Sequence, residues 1–129
     1  MKKNILLDMS ATLLHHGHTR LIKKASKFGN VIVALTTDKE IKKHKGYFPE
    51  IKFQFRKEIL ESIKNVSKVV PCNFFITNTF LQKYKIHYLV HGNDNFNSLP
   101  KEKIKIFKRT KNISSTIIRK RACTNLKKK

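Results

Sequence analysis

The residues whose types and spacing are best suited to chemistry are His15-His16-Gly17-His18. They follow the apolar run Ile5-Leu6-Leu7 and open a segment with helical spacing, so they fall at a strand-to-helix turn. The first N–H groups of a helix lack partners inside it, and the macrodipole adds positive charge there. Such a turn is a ready anion site. Imidazoles placed at it face a phosphate, and Gly17 lets the backbone approach a ligand with no Cβ in the way.

That turn needs elements to hold it. Residues 4–9 read as a first strand, and residues 17–28 as an amphipathic helix with Leu21, Ile22, Ala25 and Phe28 on one face, stopped by Gly29-Asn30. Residues 31–36 are an almost unbroken β-branched run, the pattern of a strand buried on both faces. A strand, a helix and a strand in about 35 residues make a right-handed βαβ unit. The expected class is therefore α/β: a Rossmann-like, doubly wound sheet of five parallel strands with helices on both faces.

The remaining elements follow the same reading. Residues 38–44 form a charged short helix or turn and 45–49 a loop; a helix carrying Phe55, Ile59, Leu60 and Ile63 ends near Asn65. Strands are expected at 68–71, 87–91 and 104–107, helices at 77–84 and 114–121, the last capped by its serines, and a loose basic tail over 122–129. One domain spans 1–129. In an open parallel sheet the ligand lies beyond the carboxyl ends of the strands. Those ends deliver Ser10 with the histidines, Thr36-Thr37-Asp38, Gly92-Asn93-Asp94 and Arg109-Thr110, which together suggest a phosphate-binding crevice.

Composition sets the electrostatic context. Lys and Arg number 29 against 8 Asp and Glu, a formal charge of +21, which attracts nucleic acid, anionic membrane or phosphorylated small molecules alike. A background bias toward lysine competes with a functional patch, because the lysines are spread along the chain. Cys72 and Cys123 have no metal or redox spacing and fit a reducing compartment. Asp8 interrupts the early apolar run, so that run reads as a buried strand and not a secretion signal. No stretch approaches the roughly 18 apolar residues of a membrane span. A cytoplasmic location is expected.

Four ordered blocks resemble the cytidylyltransferase family, which acts on glycerol phosphate, phosphocholine and phosphoethanolamine. They are His15-His16-Gly17-His18; Lys43-His44-Lys45-Gly46 with Arg56-Lys57; Val90-His91-Gly92-Asn93-Asp94; and Arg109-Thr110-Lys111-Asn112-Ile113-Ser114-Ser115-Thr116. The second and third are closest to phosphoethanolamine cytidylyltransferases. Asp8-Met9-Ser10-Ala11 is similar instead to nucleotidyltransferase domains of phosphonate pathways.

The resemblance implies CMP transfer from CTP to a small phosphorylated or phosphonate acceptor, with pyrophosphate released, Mg²⁺ carried on the triphosphate, and a homodimer. It makes His15, His18, Lys45 and Arg109 the catalytic set. Lys45 would reach both the α-phosphate and the acceptor, and Arg56 would hold the acceptor's phosphate, with Thr12 beside it. Arg109 and Ser114-Ser115-Thr116 would take the β- and γ-phosphates; Gly92 and Asp94 the ribose or its Mg²⁺; Met9, Ser10, Gly17, Thr110 and Ile113 complete the nucleotide site.

Departures and rivals belong beside that reading. Met9-Ser10-Ala11-Thr12 stands where relatives carry Gly-Thr-Phe-Asp, so a neutral Thr12 replaces an aspartate, and Asn112 replaces a glycine. An ATP-dependent adenylyltransferase uses the same histidine turn, though the block from Arg109 to Thr116 looks more like the cytidylyl branch. A basic nucleic-acid-binding domain predicts salt-sensitive binding and aromatics among basic residues on a sheet face, whereas these strands are aliphatic. No nearby Cys or carboxylate completes a zinc set around the histidines. His16 reads as solvated, His44 and His91 as loop or packing residues, and Arg119-Lys120-Arg121 as a solvated face.

Overall fold

A computed structural model describes residues 2–91, 99 and 101–128. Its elements are β1 (Asn4–Met9), α1 (His16–Ser26), β2 (Asn30–Thr36), α2 (Asp38–Lys45), α3 (Phe53–Glu61), β3 (Val66–Cys72), α4 (Asn78–Lys83), β4 (Tyr88–His91), β5 (Ile104–Ile106) and α5 (Ser115–Lys127), with a 3₁₀ turn at Lys101–Lys103. The strands lie in the order β3-β2-β1-β4-β5 and every pairing is parallel. This is the doubly wound Rossmann-like arrangement. The chain winds outward from β1 through β2 to β3, then returns to β4 on the other side of β1, so a crevice opens where β1 and β4 end.

The strand pleat sorts the aliphatic side chains into two cores. Ile5, Leu7, Val31, Val33, Leu35 and Val90 pack on one face with Ile22 and Ala25 of α1 and Leu60 of α3. Leu6, Ile32, Ala34, Val70 and Leu89 pack on the other with Ile76, Leu81 of α4 and Ile86. Each Leu or Ile buried this way contributes about 1.5–3 kcal/mol. Pro71 lies within β3, which its position at the sheet edge permits, since no ladder bond is needed from it on the outer side.

The expected elements form, with shifted ends. β3 is longer than expected and β5 shorter, while Lys45 is the last residue of α2 and not part of a loop; Gly46 ends that helix in the left-handed region at φ 82°. The tail is the larger correction. α5 continues to Lys127, because Arg121, Ala122, Leu126 and Lys127 are good helix formers and no Gly or Pro interrupts them. Residues 120–128 are exposed all the same. Asn112 adopts φ 64°, the left-handed turn its amide side chain tolerates. Among the described residues, no helix is long and apolar enough to cross a membrane.

Candidate active site

A cavity of about 420 Å³ opens over the carboxyl ends of β1 and β4. His15, Gly17 and His18 line one side, and Arg109, Thr110, Ile113, Ser114, Ser115 and Thr116 lie beside them. Met9, Ser10, Thr12 and Lys45 also line it. Gly92 and Asp94 lie outside the described residues.

The histidine turn carries its own wiring. His15 is the N-cap of α1, and its Nδ1 accepts the Gly17 N–H at 3.0 Å. His18 Nδ1 accepts the His15 N–H at 3.2 Å, which closes a capping box made of imidazoles. With both Nδ1 atoms accepting, each neutral ring carries its proton on Nε2. The rings lie 4.0 Å apart between centroids. Burial, then His15 and Arg109, hold His18 down at about 3, and burial with His16 lowers His15. At neutral pH the pair is therefore two uncharged N–H donors, not two cations.

Gly17 is required by this geometry. A Cβ there would stand 2.8 Å from His15 Cε1 and 2.9 Å from its Nδ1, too close for the ring to stay. Gly17→Ala is expected to stay folded, because helix propensity gains about 1 kcal/mol while a lost cap costs about as much. Its His15 ring must swing away, breaking the Nδ1 bond. Ring ¹⁵N chemical shifts will report this as a His15 signal that changes between wild type and variant, with the melting temperature nearly constant.

α5 is tied to the same turn. Ser115 Oγ donates to Leu13 O at 2.9 Å and accepts the Leu13 N–H at 3.2 Å, so its hydroxyl is spent on structure. Ser114 Oγ accepts the Ile117 N–H at 3.0 Å as N-cap and keeps its own proton to donate. Arg109 depresses the pKa of both His18 and Lys45, which makes it the cation common to the two halves of the site. Lys45 is lowered from the ordinary lysine value by lost hydration first, then by Arg119 and Arg109.

Arg56 is not an acceptor ligand. Its side chain is fully buried and all its bonds are internal: Nε to Ile51 O at 2.9 Å, Nη1 to Ser10 O at 2.6 Å and Thr36 O at 3.0 Å, Nη2 to Asp38 Oδ1 at 2.6 Å. Four of its five N–H donors are spent inside the protein, and the buried side chain does not line the cavity. Thr12 is also buried; it lines the cavity, and its Oγ1 accepts from Arg119 Nη2 at 3.1 Å.

Other residues at the site escape a reading by sequence. Asp8 Oδ1 and His91 Nδ1 form a hydrogen bond of 2.7 Å, both side chains lining the cavity. His91 is thus a site residue where a packing role was expected. The signal was positional: both stand at the carboxyl ends of strands that prove adjacent, with Leu7 opposite Val90. Asp8 is the one carboxylate among the described lining residues, and strand alternation puts it on the face of Leu6, opposite to α1. Phe74 and Phe75 line the same cavity. His44 does pack as expected, stacked on Phe74 at 4.5 Å, and Arg119 is bonded to Glu50 and Thr12 and not merely solvated. Among the described residues, no three His, Cys, Asp or Glu side chains group as a metal cluster.

A parallel sheet whose switch point carries paired imidazole donors, an arginine and two helix N-termini defines an α/β domain with a crevice suited to an anion. The comparisons narrow the class. The Cytidylyltransferase-like family pattern matches residues 11–121, and the chain belongs to that family. It is 34% identical to glycerol-3-phosphate cytidylyltransferase of Staphylococcus aureus over 91% of this chain and 92% of that one. It is 37% identical to mouse ethanolamine-phosphate cytidylyltransferase over 64% of this chain, but spans only 20% of that longer protein. The lipopolysaccharide core biosynthesis protein of Thermoplasma volcanium GSS1 shares the fold, with TM-score 0.68 at 16% identity over 86% of this chain and 98% of that one.

Proposed function

We propose that the protein transfers CMP from CTP to a phosphorylated small amino alcohol and releases pyrophosphate. The observation that carries this is the pair of neutral imidazoles beside Arg109 whose Nδ1 atoms are spent on the helix cap, leaving the protons on Nε2. An oxygen of the acceptor's phosphate forms a bond to the α-phosphorus, and the bond to the β-phosphate oxygen breaks. A phosphate monoester is largely dianionic near pH 7, so no proton needs to be removed from the nucleophile. The histidines therefore act as donors to charge developing on the triphosphate, with no general base required.

Lys45 lies on the acceptor side, and with Arg109 it offsets the repulsion between acceptor and triphosphate. Asp8 favours an amine on the acceptor: a carboxylate in a cavity built for anions suits a cationic head group, with Phe74 and Phe75 as apolar walls. A single lining carboxylate also fits Mg²⁺ held mainly by phosphate oxygens, where the ion would neutralise charge on the leaving pyrophosphate. The likeness to the mouse enzyme supports the same acceptor class.

Pyrophosphate release with Mg²⁺ tests the proposal, with CTP and ATP assayed separately against phosphoethanolamine, phosphocholine, glycerol 3-phosphate and 2-aminoethylphosphonate. Turnover is expected with CTP and phosphoethanolamine. Turnover with ATP alone would make the protein an adenylyltransferase, and a preference for glycerol 3-phosphate would remove the head-group role of Asp8.

A further inference from the structure

Basic and aromatic side chains meet a second time on the sheet face that α1 covers, at the end where α1 stops. Val90 belongs to the core on that face and Tyr88 packs against the same core, while Lys105 stands opposite Val90 in the β4–β5 pairing. Tyr88 and Lys105 therefore point to the same side. Lys2 and Lys3, just before and at the start of β1, and Lys27-Phe28, just after α1, close around them. The result is an open cleft of about 620 Å³ that shares no lining residue with the cavity of the histidine turn.

Cations and rings alternate along this cleft. Lys3 Nζ lies 5.1 Å from the centre of the Tyr88 ring and donates to its hydroxyl at 3.4 Å. Lys105 Nζ lies 4.6 Å from the centre of Tyr88 and 5.1 Å from that of Phe28. The rings place these ammonium groups without neutralising them. Among the described residues, no Asp or Glu lines the cleft to do so. Phe28 packs on Phe107 at 5.6 Å between centroids, yet 46% of it stays exposed.

Four lysines beside a half-exposed ring suit a ligand that carries phosphates and flat apolar surfaces together. A bilayer meets a protein through residues on a projecting surface, whereas Tyr88 lies half-buried inside a concave one. We propose that this cleft binds single-stranded nucleic acid, with Lys2, Lys3, Lys27 and Lys105 on its phosphates, Tyr88 holding two of those lysines in place and Phe28 stacking a base. Lysines act on phosphate as point charges and a ring face accepts any base, so binding is indifferent to sequence. The inference stands without the CMP-transfer reading.

Fluorescence anisotropy with labelled twelve-nucleotide oligo(U) and oligo(dT), over a range of salt concentrations, tests this. Binding should weaken with salt, and Lys3→Gln/Lys105→Gln should lower the log–log slope by about 1.4, since each single-strand phosphate contact contributes about 0.7. At low salt the same variant should bind at least about tenfold more weakly. Phe28→Leu should bind about fivefold or more weakly with the slope unchanged. These surface substitutions should leave the melting temperature nearly constant. Lys127→Gln/Lys128→Gln removes the same charge from the exposed end of α5 and should cost less than about threefold. Saturating CTP with Mg²⁺ should leave the strand bound. Equal losses in the cleft and α5 variants would mean attraction to net charge alone and would overturn the site, as would displacement by CTP. Phe28→Leu binding like wild type would overturn the stacking. Lysine-dependent binding to phosphatidylglycerol vesicles, with none to either oligonucleotide, would make the cleft a lipid contact and overturn the proposal.

Discussion

His18→Ala is expected to lower kcat for CMP transfer by about 10²–10³, the usual effect of removing one preorganised donor to developing charge. The same substitution removes the acceptor for the His15 N–H, so a stability loss of about 1 kcal/mol should accompany it. The two effects can be separated. Glutamine serves at the third helical position of an ordinary capping box, so His18→Gln should regain the stability while regaining little of the rate. A variant that recovered both would mean that His18 matters only as a cap.

The buried imidazole also sets a pH dependence. His18 titrates at about 3 in the folded chain, against 6.5 for a free imidazole. Between those values the unfolded chain binds a proton that the native ring refuses, so stability falls as pH falls through that window. Above 6.5 both states are neutral and the term is constant. His15 is lowered too and acts in the same direction. Unfolding free energies from urea titrations at pH 7 and at about pH 5 should differ by roughly 1–2 kcal/mol in wild type and by less in His18→Ala.

Legibility followed sequence separation. β1, β2 and the histidine turn were readable because their signals are local: β-branched runs, a helical period, a glycine at the turn. The Asp8–His91 bond joins residues 83 positions apart, and only the return of β4 to the side of β1 makes them neighbours. Arg119 looked like part of a basic run because nothing near it in the chain names its partner, Glu50, which lies 69 residues away. α5 ran past its expected end for an opposite reason: amphipathic pattern marks only the part of a helix that packs, and its last turns are exposed on all sides. Arg56 shows the limit most plainly. An arginine on a helix reads as a surface or ligand residue, since burying a guanidinium is expensive unless every donor is met.

Here four of its five donors are met, and the consequence for stability is large. Arg56 joins the ends of β1 and β2, through Ser10 O and Thr36 O, to Ile51 O and to the Asp38 carboxylate. Asp38 in turn accepts the Phe53 N–H at 3.0 Å, serving as a remote cap for α3, whose own N-cap residue, Lys52, offers no side-chain bond. Arg56→Met keeps most of the volume but strands three carbonyls and an unpaired carboxylate, so unfolding should become easier by about 3–5 kcal/mol. That corresponds to a fall in melting temperature of about 10 °C or more. Arg56→Lys should recover only part of it, because one ammonium cannot reach partners on four segments. A residue that bound the acceptor's phosphate would behave in the reverse way: its loss would raise the acceptor KM and leave the melting temperature alone. Calorimetry of Arg56→Met beside its steady-state kinetics therefore separates the two roles. The buried network predicts a large loss of stability, with whatever enzyme remains folded keeping a near-native KM.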